Sequence, residues 1–505
     1  MNKPAQEPHE MKIVPVSYRL INNWISLLGI PMTAAGFGLG LGLIILDVMA
    51  PIHSPYLGIF TYMIVPVILS AGLLLILVGV LRERALRRRT SHTDLPRMPV
   101  INLNEQRHFY AFVAVVVVTF LFFVLSGIGS YRAYHFTESV TFCGITCHDV
   151  MEPEFTAYQN SPHANVLCTK CHIGPGADFF VKAKLNGLYQ VYSTMFDKYN
   201  RPIPAPVHNL RPAKETCYTC HWPEKFTGSV AMSRTYYAAD EENTPWHLRM
   251  LLKVGGKATE HSPAKGIHWH MATANKVEYF AADEKRQIIP WVRHTDQDGN
   301  VTVYTNDSDE VDFDAASFSE AGVRTMDCID CHNRPTHNFH SPNVALDTAF
   351  DAGTLDTTLP WLKMVAAEAL LGEYETREDA LRAIEEKLRE EYPDGGENVT
   401  NAIAAVQGIY ARNFFPEMNV NWSEYPDNVC HFTSLGCFRC HDGFHVSESG
   451  TRISNDCNDC HTVLAQGSGL SPDTISVGGL DFEHPGGNDL LEDTNCSECH
   501  TGAPD

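Results

Sequence analysis

Seven pairs of cysteines, each followed at once by a histidine, are the residues of this 505-residue sequence whose types and spacing could do chemistry. They use fourteen of the fifteen cysteines. The motifs are Cys143/Cys147-His148, Cys168/Cys171-His172, Cys217/Cys220-His221, Cys328/Cys331-His332, Cys437/Cys440-His441, Cys457/Cys460-His461 and Cys496/Cys499-His500. Six have the C-x-x-C-H spacing that lets two thiols bond to one haem while the histidine ligates its iron. The first, C-G-I-T-C-H, has one extra residue.

Zinc binding and disulfides are the two other uses of paired cysteines. A structural zinc ion takes four ligands and needs no histidine at a fixed place after the second cysteine. A histidine that recurs there seven times therefore favours covalent haem. The sequence predicts seven haem c groups, with the motif histidines as proximal iron ligands.

The second axial ligands must come from outside the motifs, and histidine is the usual donor. The last three motifs share three spare histidines, and all three are predicted as distal ligands: His431, His445 and His484. Among the first four motifs the supply is in excess. The best candidates there are His163 and His337, with one of His268 or His270 as a third.

Three uncharged apolar stretches precede the motifs, at residues 20–46, 56–81 and 109–131. Each is long enough for a membrane-spanning helix, which needs about 20 residues. Seven arginines lie between the second and third stretches, whereas residues 47–55 contain no Lys or Arg. By the positive-inside rule this predicts a multi-pass protein of the bacterial inner membrane with a cytoplasmic N-terminus. The haem motifs then lie in the periplasm, where bacteria attach haem c.

The charge of the chain is strongly negative, at −22. After residue 130 there are 28 Lys or Arg and 54 Asp or Glu, which gives −26 for the exported part. This charge argues against nucleic acid as a partner. It favours a docking partner with a basic face.

The predicted fold class is mainly α with much loop and little strand. Residues 1–132 form the membrane anchor, and residues 133–345 form a tetrahaem domain with a strand-containing insert at about 223–325. Residues 346–428 have the apolar spacing of helices, which predicts a helical spacer. A trihaem domain follows at 429–505.

Motif one differs from the others in spacing and in position. Met151 follows three residues after His148, and a thioether is a possible distal ligand, which makes it a candidate. The motif lies about a dozen residues beyond the third apolar stretch. A lipid-soluble electron donor would therefore meet it first.

The stretch from Thr141 to His172, with its Met, its Ser161-Pro162-His163 and its second motif, resembles the NapC/NirT/NrfH family of membrane-anchored cytochrome c quinol dehydrogenases. The resemblance covers about residues 110–340 and closes at the fourth motif, with His337 five residues on. The overall layout resembles the ImcH-like heptahaem inner-membrane cytochromes of metal-reducing bacteria.

The resemblance implies that the chain oxidises a membrane quinol, with menaquinol expected, near haem one and relays electrons to a periplasmic cytochrome c. It also implies that Met151 ligates haem one, that His163 and His337 are distal ligands, and that Lys182 or Lys184 is the quinol-site lysine. The family's carboxylate beyond that lysine has no counterpart at residues 189–191, and the nearest acids are Asp178 and Asp197. Three spans and seven motifs also exceed the single anchor helix and four haems usual in the family.

Two other functions stay open. The chain could be an electron-transfer subunit without a quinone site of its own, since a quinone pocket leaves no compact motif. A terminal reductase is less favoured, because its substrate-binding haem is often marked by an altered motif such as C-x-x-C-K, and the sequence has none. The fifteenth cysteine, Cys430, is interpreted as a free thiol or a packing residue.

Overall fold

A computed structural model shows the fold of the chain. It describes residues 20–49, 64–89, 102–145, 148–174, 177–206, 212–222, 225–255, 266–272, 275–308, 318–429, 431–469, 475–485 and 496–500, together with 311, 487 and 502. These residues form two compact units, Met1–Thr146 and Cys147–Asp505.

The first unit consists of helices α1 (Trp24–Met49), α2 (Val65–Arg89), α3 (Gln106–Thr137) and α4 (Val140–Gly144). Glycines let α1 and α2 pack closely: a Cβ on Gly72 would lie 2.6 Å from Thr33 Oγ1. Within α1 and α2, Trp24–Leu43 and Val65–Leu86 are long and apolar enough to cross a membrane. The third predicted span lies within α3, and membrane crossing by this helix stays a prediction.

The second unit is mainly helical, with short helices at the motifs and longer ones between them. Its helices are α5 (His148–Gln159), α6 (Cys168–His172), α7 (Ala177–Met195), α8 (Ala213–Cys217), α9 (Cys328–Cys331), α10 (Pro342–Asp351), α11 (Leu362–Leu370), α12 (Arg377–Glu391), α13 (Gly396–Asn413), α14 (Cys457–Cys460) and α15 (Cys496–Cys499). The described 3₁₀ turns are Ile267–Met271, Glu320–Gly322, Pro416–Met418 and Gly436–Arg439. The prediction of a mainly helical fold is confirmed.

Two antiparallel sheets complete the second unit. Their strands are β1 (Val230–Tyr237), β2 (Pro245–Leu252), β3 (Lys276–Phe280), β4 (Trp291–Thr295), β5 (Val301–Asn306), β6 (Arg324–Thr325), β7 (His445–Ser447) and β8 (His461–Gly467). The strand orders are β1-β2-β8 and β6-β3-β4-β5-β7. In each sheet a strand of the predicted insert pairs with a strand of the C-terminal block: Leu252 with His461, and Asn306 with His445. The two predicted haem blocks therefore share both sheets.

The largest hydrophobic core lies in the predicted spacer, between α10, α11, α12 and α13. The apolar residues at three- and four-residue spacing face each other there, and Leu346, Leu362, Ile384 and Val406 are fully buried. Thr376 caps α12 by accepting a hydrogen bond from the Asp379 backbone N–H. This core is made without any motif residue.

Candidate haem-binding sites

Most cysteines of the regular motifs lie on single turns of helix. In motifs two, four, six and seven both cysteines are on one such turn, α6, α9, α14 and α15, and motif five includes the 3₁₀ turn Gly436–Arg439. Asp327 caps α9, and Asp456 caps α14 by accepting from the Asn458 backbone N–H. These caps hold the start of the turn, so a short local sequence is enough to bring two thiols and a histidine together.

Motif three differs from this arrangement at its second cysteine. Cys217 is the last residue of α8, whereas Cys220 lies beyond the helix and is exposed. Its backbone N–H donates to the Cys217 carbonyl at 3.1 Å, and Thr219 Oγ1 donates to its Sγ at 3.8 Å. A surface turn, and not an enclosed helical turn, therefore holds this thiol. Haem attachment at Cys220 stays a prediction, with one edge of that haem at the protein surface.

Three other motif cysteines are exposed in the same way, although each is on its helical turn: Cys171, Cys457 and Cys499. Attachment of the haem edge to an exposed thiol needs no protein cavity around the sulfur, because the porphyrin itself covers it. The spacing of the motif, which is local, identified these thiols. Their exposure depends on tertiary packing, which the sequence did not reveal.

The two other uses of the cysteines receive no support from the geometry. The thirteen described cysteines are all free of disulfides. In the same described residues, His, Cys, Asp and Glu side chains form no cluster of three that could hold a metal ion on its own.

A second histidine faces each motif histidine whose side chain is described. The ring-centroid distances are 6.2 Å for His172–His337, 6.1 Å for His221–His163, 6.4 Å for His332–His268, 5.8 Å for His441–His270, 6.3 Å for His461–His431 and 5.9 Å for His500–His484. No histidine is used twice in these six pairs.

This spacing fits two imidazoles on opposite sides of one iron. With a metal–nitrogen bond of about 2.0 Å, the ring centres of two such imidazoles lie about 6.3 Å apart. Ordinary aromatic pairs have centroids about 4.5–7 Å apart, so one pair alone would prove little. Six pairs within a narrow range, one for each described motif histidine, fit bis-histidine haem ligation.

Hydrogen bonds at Nδ1 orient five of these rings. Backbone carbonyl oxygens lie 3.2 Å from Nδ1 of His163, 2.9 Å from that of His337, 2.8 Å from that of His268 and 2.9 Å from that of His270. The Ser454 carbonyl lies 2.6 Å from Nδ1 of His441. Metal-ligating histidines commonly donate their other N–H in this way, which directs Nε2 at the metal. In the His431–His461 pair, neither Nδ1 has a protein partner among the described residues.

Burial favours the neutral form of several of these rings. It lowers the pKa of His172, His332, His431 and His461, and it lowers the pKa of His270 to about 4. Only neutral imidazole has a lone pair for iron, so at neutral pH these rings are in the form that a haem needs.

One predicted distal ligand needs correction. His445 is fully buried, its Nδ1 lies 2.9 Å from Asp442 Oδ1, and its Nε2 lies 2.8 Å from the Ile289 carbonyl. Both ring nitrogens are occupied, so the ring has no nitrogen left for an iron. His270 faces His441 of the fifth motif instead, so both His268 and His270 belong to the six pairs. The sequence signal for two ligands on this turn is the H-x-H spacing of His268 and His270.

The pair His172–His337 has a charged neighbour that the sequence did not reveal. Glu154 on α5 lies beside His337, with Oε2 3.1 Å from Nδ1 of that ring. Arg334 donates to both oxygens of this carboxylate at 3.2 and 3.3 Å, and its Nε donates to the His337 carbonyl. Glu154 therefore positions the ring, and Arg334 balances its charge.

Motif one is described only in part, because Cys147 and the His148 side chain lie outside the described residues. Cys143 lies on α4, which Ser139 caps by accepting from the Phe142 backbone N–H at 3.1 Å. His148 and Met151 are three positions apart on α5 and so share one helical face. Ligation of haem one by Met151 stays a prediction.

The quinol-site candidates lie together on α7. Lys182 is exposed with Nζ 5.8 Å from the Phe179 ring centre, and Lys184 has Nζ 5.1 Å from that of Phe180. The side chain of Asp178 and residue Cys430 lie outside the described part of the chain. The other nearby acid, Asp197, pairs with Arg201 at 2.7 Å.

Comparison with known proteins agrees with the geometry of the motifs. The NapC/NirT cytochrome c family, N-terminal region, matches residues 105–204. The chain is 42% identical over 491 residues to the cytochrome c-type protein ImcH of Geobacter sulfurreducens, with 95% of each chain covered. No solved structure matches the chain. The chain therefore belongs to the same family of cytochrome c-type proteins as ImcH, and it contains a NapC/NirT cytochrome c region that follows two candidate membrane spans.

Proposed function

We propose that this chain is a heptahaem quinol dehydrogenase of the bacterial inner membrane, which oxidises menaquinol beside motif one and relays the electrons to periplasmic cytochromes c. The observation that carries the proposal is the set of six histidine pairs. When bound, the haems would supply one-electron redox chemistry along the chain. The motif cysteines would hold them, and the paired histidines would fill both axial positions of six irons.

The six pairs also bear on the alternative of a terminal reductase. Such an enzyme needs an iron with a free coordination position for its substrate. Each described pair would occupy both positions, which favours electron transfer over substrate reduction at those six sites. Motif one is the remaining place for a reaction with a small molecule.

The end of α3 supports a quinol site near the membrane. α3 ends at Thr137, and Cys143 follows on α4 after a two-residue link. The rings of Phe136 and Phe142 pack at 5.4 Å across this link. If α3 crosses the bilayer as predicted, Cys143 lies within a few residues of the lipid headgroups.

The exposed face of α7 fits a contact with the bilayer or with the quinol tail. Apolar and aromatic side chains recur on it at three- and four-residue spacing and are about half exposed or more: Leu185, Leu188, Tyr189, Tyr192 and Met195. Such a stripe, with lysines at one end, is typical of helices that lie in the membrane interface. Lys182 and Lys184 are thus on an element suited to meet a lipid-soluble substrate.

The orientation follows from the arginines at the end of α2. Arg82, Arg84, Arg87, Arg88 and Arg89 lie in its last two turns. The positive-inside rule places this end in the cytoplasm. The N-terminus is then cytoplasmic, and the second unit is periplasmic.

The C-terminal block fits the docking of a soluble acceptor with a basic face. Residues 429–505 contain two Lys or Arg against twelve Asp or Glu. Exposed apolar side chains lie in the same segment as the His484–His500 pair, with Val477 88% and Ile475 48% exposed. Asp481 and Glu483 lie just before His484 in sequence. Complementary charge speeds the encounter of such partners.

Reduction in liposomes tests the proposal. The full-length protein, shown to carry seven haems, is reconstituted and mixed with a menaquinol analogue while haem absorbance is followed. We expect reduction within seconds, slowed about tenfold or more in Lys182→Met and unchanged in Lys225→Met, an exposed lysine that is not part of α7. Wild-type protein that dithionite reduces but the quinol does not would contradict quinol oxidation and leave the subunit without a quinone site as the better account.

A further inference from the structure

The 3₁₀ turn Ile267–Met271 faces motifs of two different haem blocks. His268 lies 6.4 Å from His332 of motif four, and His270 lies 5.8 Å from His441 of motif five, measured between ring centroids. The two motif histidines are 109 positions apart along the chain, from 332 to 441. One turn of the insert therefore reaches both.

The geometry of the turn explains how neighbouring histidines reach separate partners. A 3₁₀ helix has about three residues per turn, so side chains two positions apart point in directions about 120° different. Each ring is held by its own hydrogen bond, from His268 Nδ1 to the Val254 carbonyl and from His270 Nδ1 to the Ile267 carbonyl. Both rings are thus oriented independently of their motif partners.

Backbone contacts attach the turn to a third motif. The Lys253 carbonyl accepts from the Ile267 N–H at 2.8 Å, and the Lys253 N–H donates to the Cys460 carbonyl at 2.8 Å. The turn is therefore tied to motif six through one residue at the end of β2.

Gly266 is required at the start of the turn. Its φ is +88°, and a Cβ there would collide with the Lys253 carbonyl oxygen. An L side chain is unfavourable at this φ, and the collision adds to the strain.

We infer that the Ile267–Met271 turn joins the two haem blocks, with His268 as the second axial ligand of the motif-four haem and His270 as that of the motif-five haem. When bound, the haems of motifs four and five would exchange one electron at a time beside this turn. One iron would be oxidised from Fe(II) to Fe(III) as the other is reduced from Fe(III) to Fe(II), with no proton or bond exchanged. The inference rests on the haem ligation proposed above and not on quinol oxidation.

Ligand deletion tests the two assignments separately. His268→Ala and His270→Ala are prepared in the full chain, with His294→Ala as the matched control, since His294 packs on Trp269 at 4.9 Å but is not in any of the six pairs. We expect each of the first two variants to convert one low-spin haem to high spin in electron paramagnetic resonance, with the control unchanged. Added imidazole should restore the low-spin signal, which it would not do after a merely structural loss.

Gly266→Ala tests the turn as one unit. We expect it to perturb the spectra of two haems together, whereas Gly299→Ala, at φ +85° with nothing within 4 Å of its Cβ, should leave the haem spectra unchanged. We also expect the haems of the trihaem domain to be reduced at least tenfold more slowly in Gly266→Ala when electrons are supplied to the tetrahaem domain.

Two results would overturn the inference: seven unchanged haem spectra in both histidine variants, or a change that imidazole does not reverse in either. These readouts use dithionite-reduced and air-oxidised protein, so they do not depend on quinol. A chain that passes these tests but is not reduced by menaquinol would keep the junction and lose the quinol dehydrogenase proposal.

Discussion

Replacing Glu154 by Gln should raise the reduction potential of the haem that we propose is held by His172 and His337. The carboxylate lies 3.1 Å from Nδ1 of His337, while the Glu154 backbone carbonyl lies 2.9 Å from the same atom. The substitution removes the charge but leaves the backbone hydrogen bond that orients the ring. The ferric form carries the extra positive charge, so losing a nearby anion destabilises it relative to the ferrous form.

The size of the shift follows from the distances. A carboxylate at this place is about 7 Å from an iron ligated by Nε2, which at an effective dielectric constant of about 20 is worth about 2 kcal/mol, roughly 100 mV for one electron. Arg334 pairs with the same carboxylate, and the side chains of Arg334 and Glu154 are only 11% and 14% exposed. Its positive charge offsets part of the effect of the carboxylate on the iron. We expect a rise on the order of 30–100 mV. Arg334→Met should shift the potential the other way.

A redox titration of the full chain, followed by the low-spin paramagnetic signals, measures the shift. Glu152→Gln is the matched control, because Glu152 is on the same helix but pairs with Arg377 at 2.6 Å. If the titrations of Glu154→Gln and Glu152→Gln superimpose, Glu154 does not act on a haem ligand and the assignment of His337 loses its support.

Three further predictions concern stability and docking. Lys363→Met should lower the free energy of unfolding by about 3–5 kcal/mol, because it leaves the buried Asp347 without the cation 2.8 Å away. Adding Asp347→Leu to the same chain should restore much of the lost stability, as measured by circular dichroism melts. Burial already raises the pKa of Asp347, so the folded chain binds the carboxyl proton more tightly than the unfolded chain does. The loss of stability in Lys363→Met should therefore grow as pH rises from the carboxyl range to 7. Ile384→Ala, at a fully buried core position, should cost about 2–5 kcal/mol, whereas Arg382→Ala on the exposed face of the same helix should cost little. Electron transfer to a basic cytochrome c should slow as salt screens the acidic C-terminal block, and a rate independent of ionic strength would exclude charge-guided docking there.

The elements that the sequence predicted well are those that depend on neighbouring residues. A C-x-x-C-H motif needs one turn of the backbone, and its caps, such as Asp327, lie beside it. The apolar periodicity of the spacer likewise predicted helices that the structure shows as α11, α12 and α13. Hydrogen bonds within a few residues and one amphipathic face decide both features.

The partners of the motif histidines depend on contacts between distant residues. His172 faces His337, which is 165 positions later, and His441 of the last block faces His270 of the insert. His445, although close to motif five in sequence, has both ring nitrogens beside Asp442 and the Ile289 carbonyl. The sequence shows His270 and His445 as equivalent candidates, because it does not show which ring nitrogens are already hydrogen-bonded.

The sequence by itself determined that the chain carries seven haem motifs, which residues of each motif would bond to haem, and that the part after residue 130 is acidic. Only the tertiary structure decided which second histidine faces each described motif histidine, that both sheets join the two haem blocks, and that one turn reaches motifs four and five. The reason is physical: thiol spacing is a local property of the backbone, whereas an axial pair needs two rings about 6 Å apart that packing and hydrogen bonds bring from remote parts of the chain.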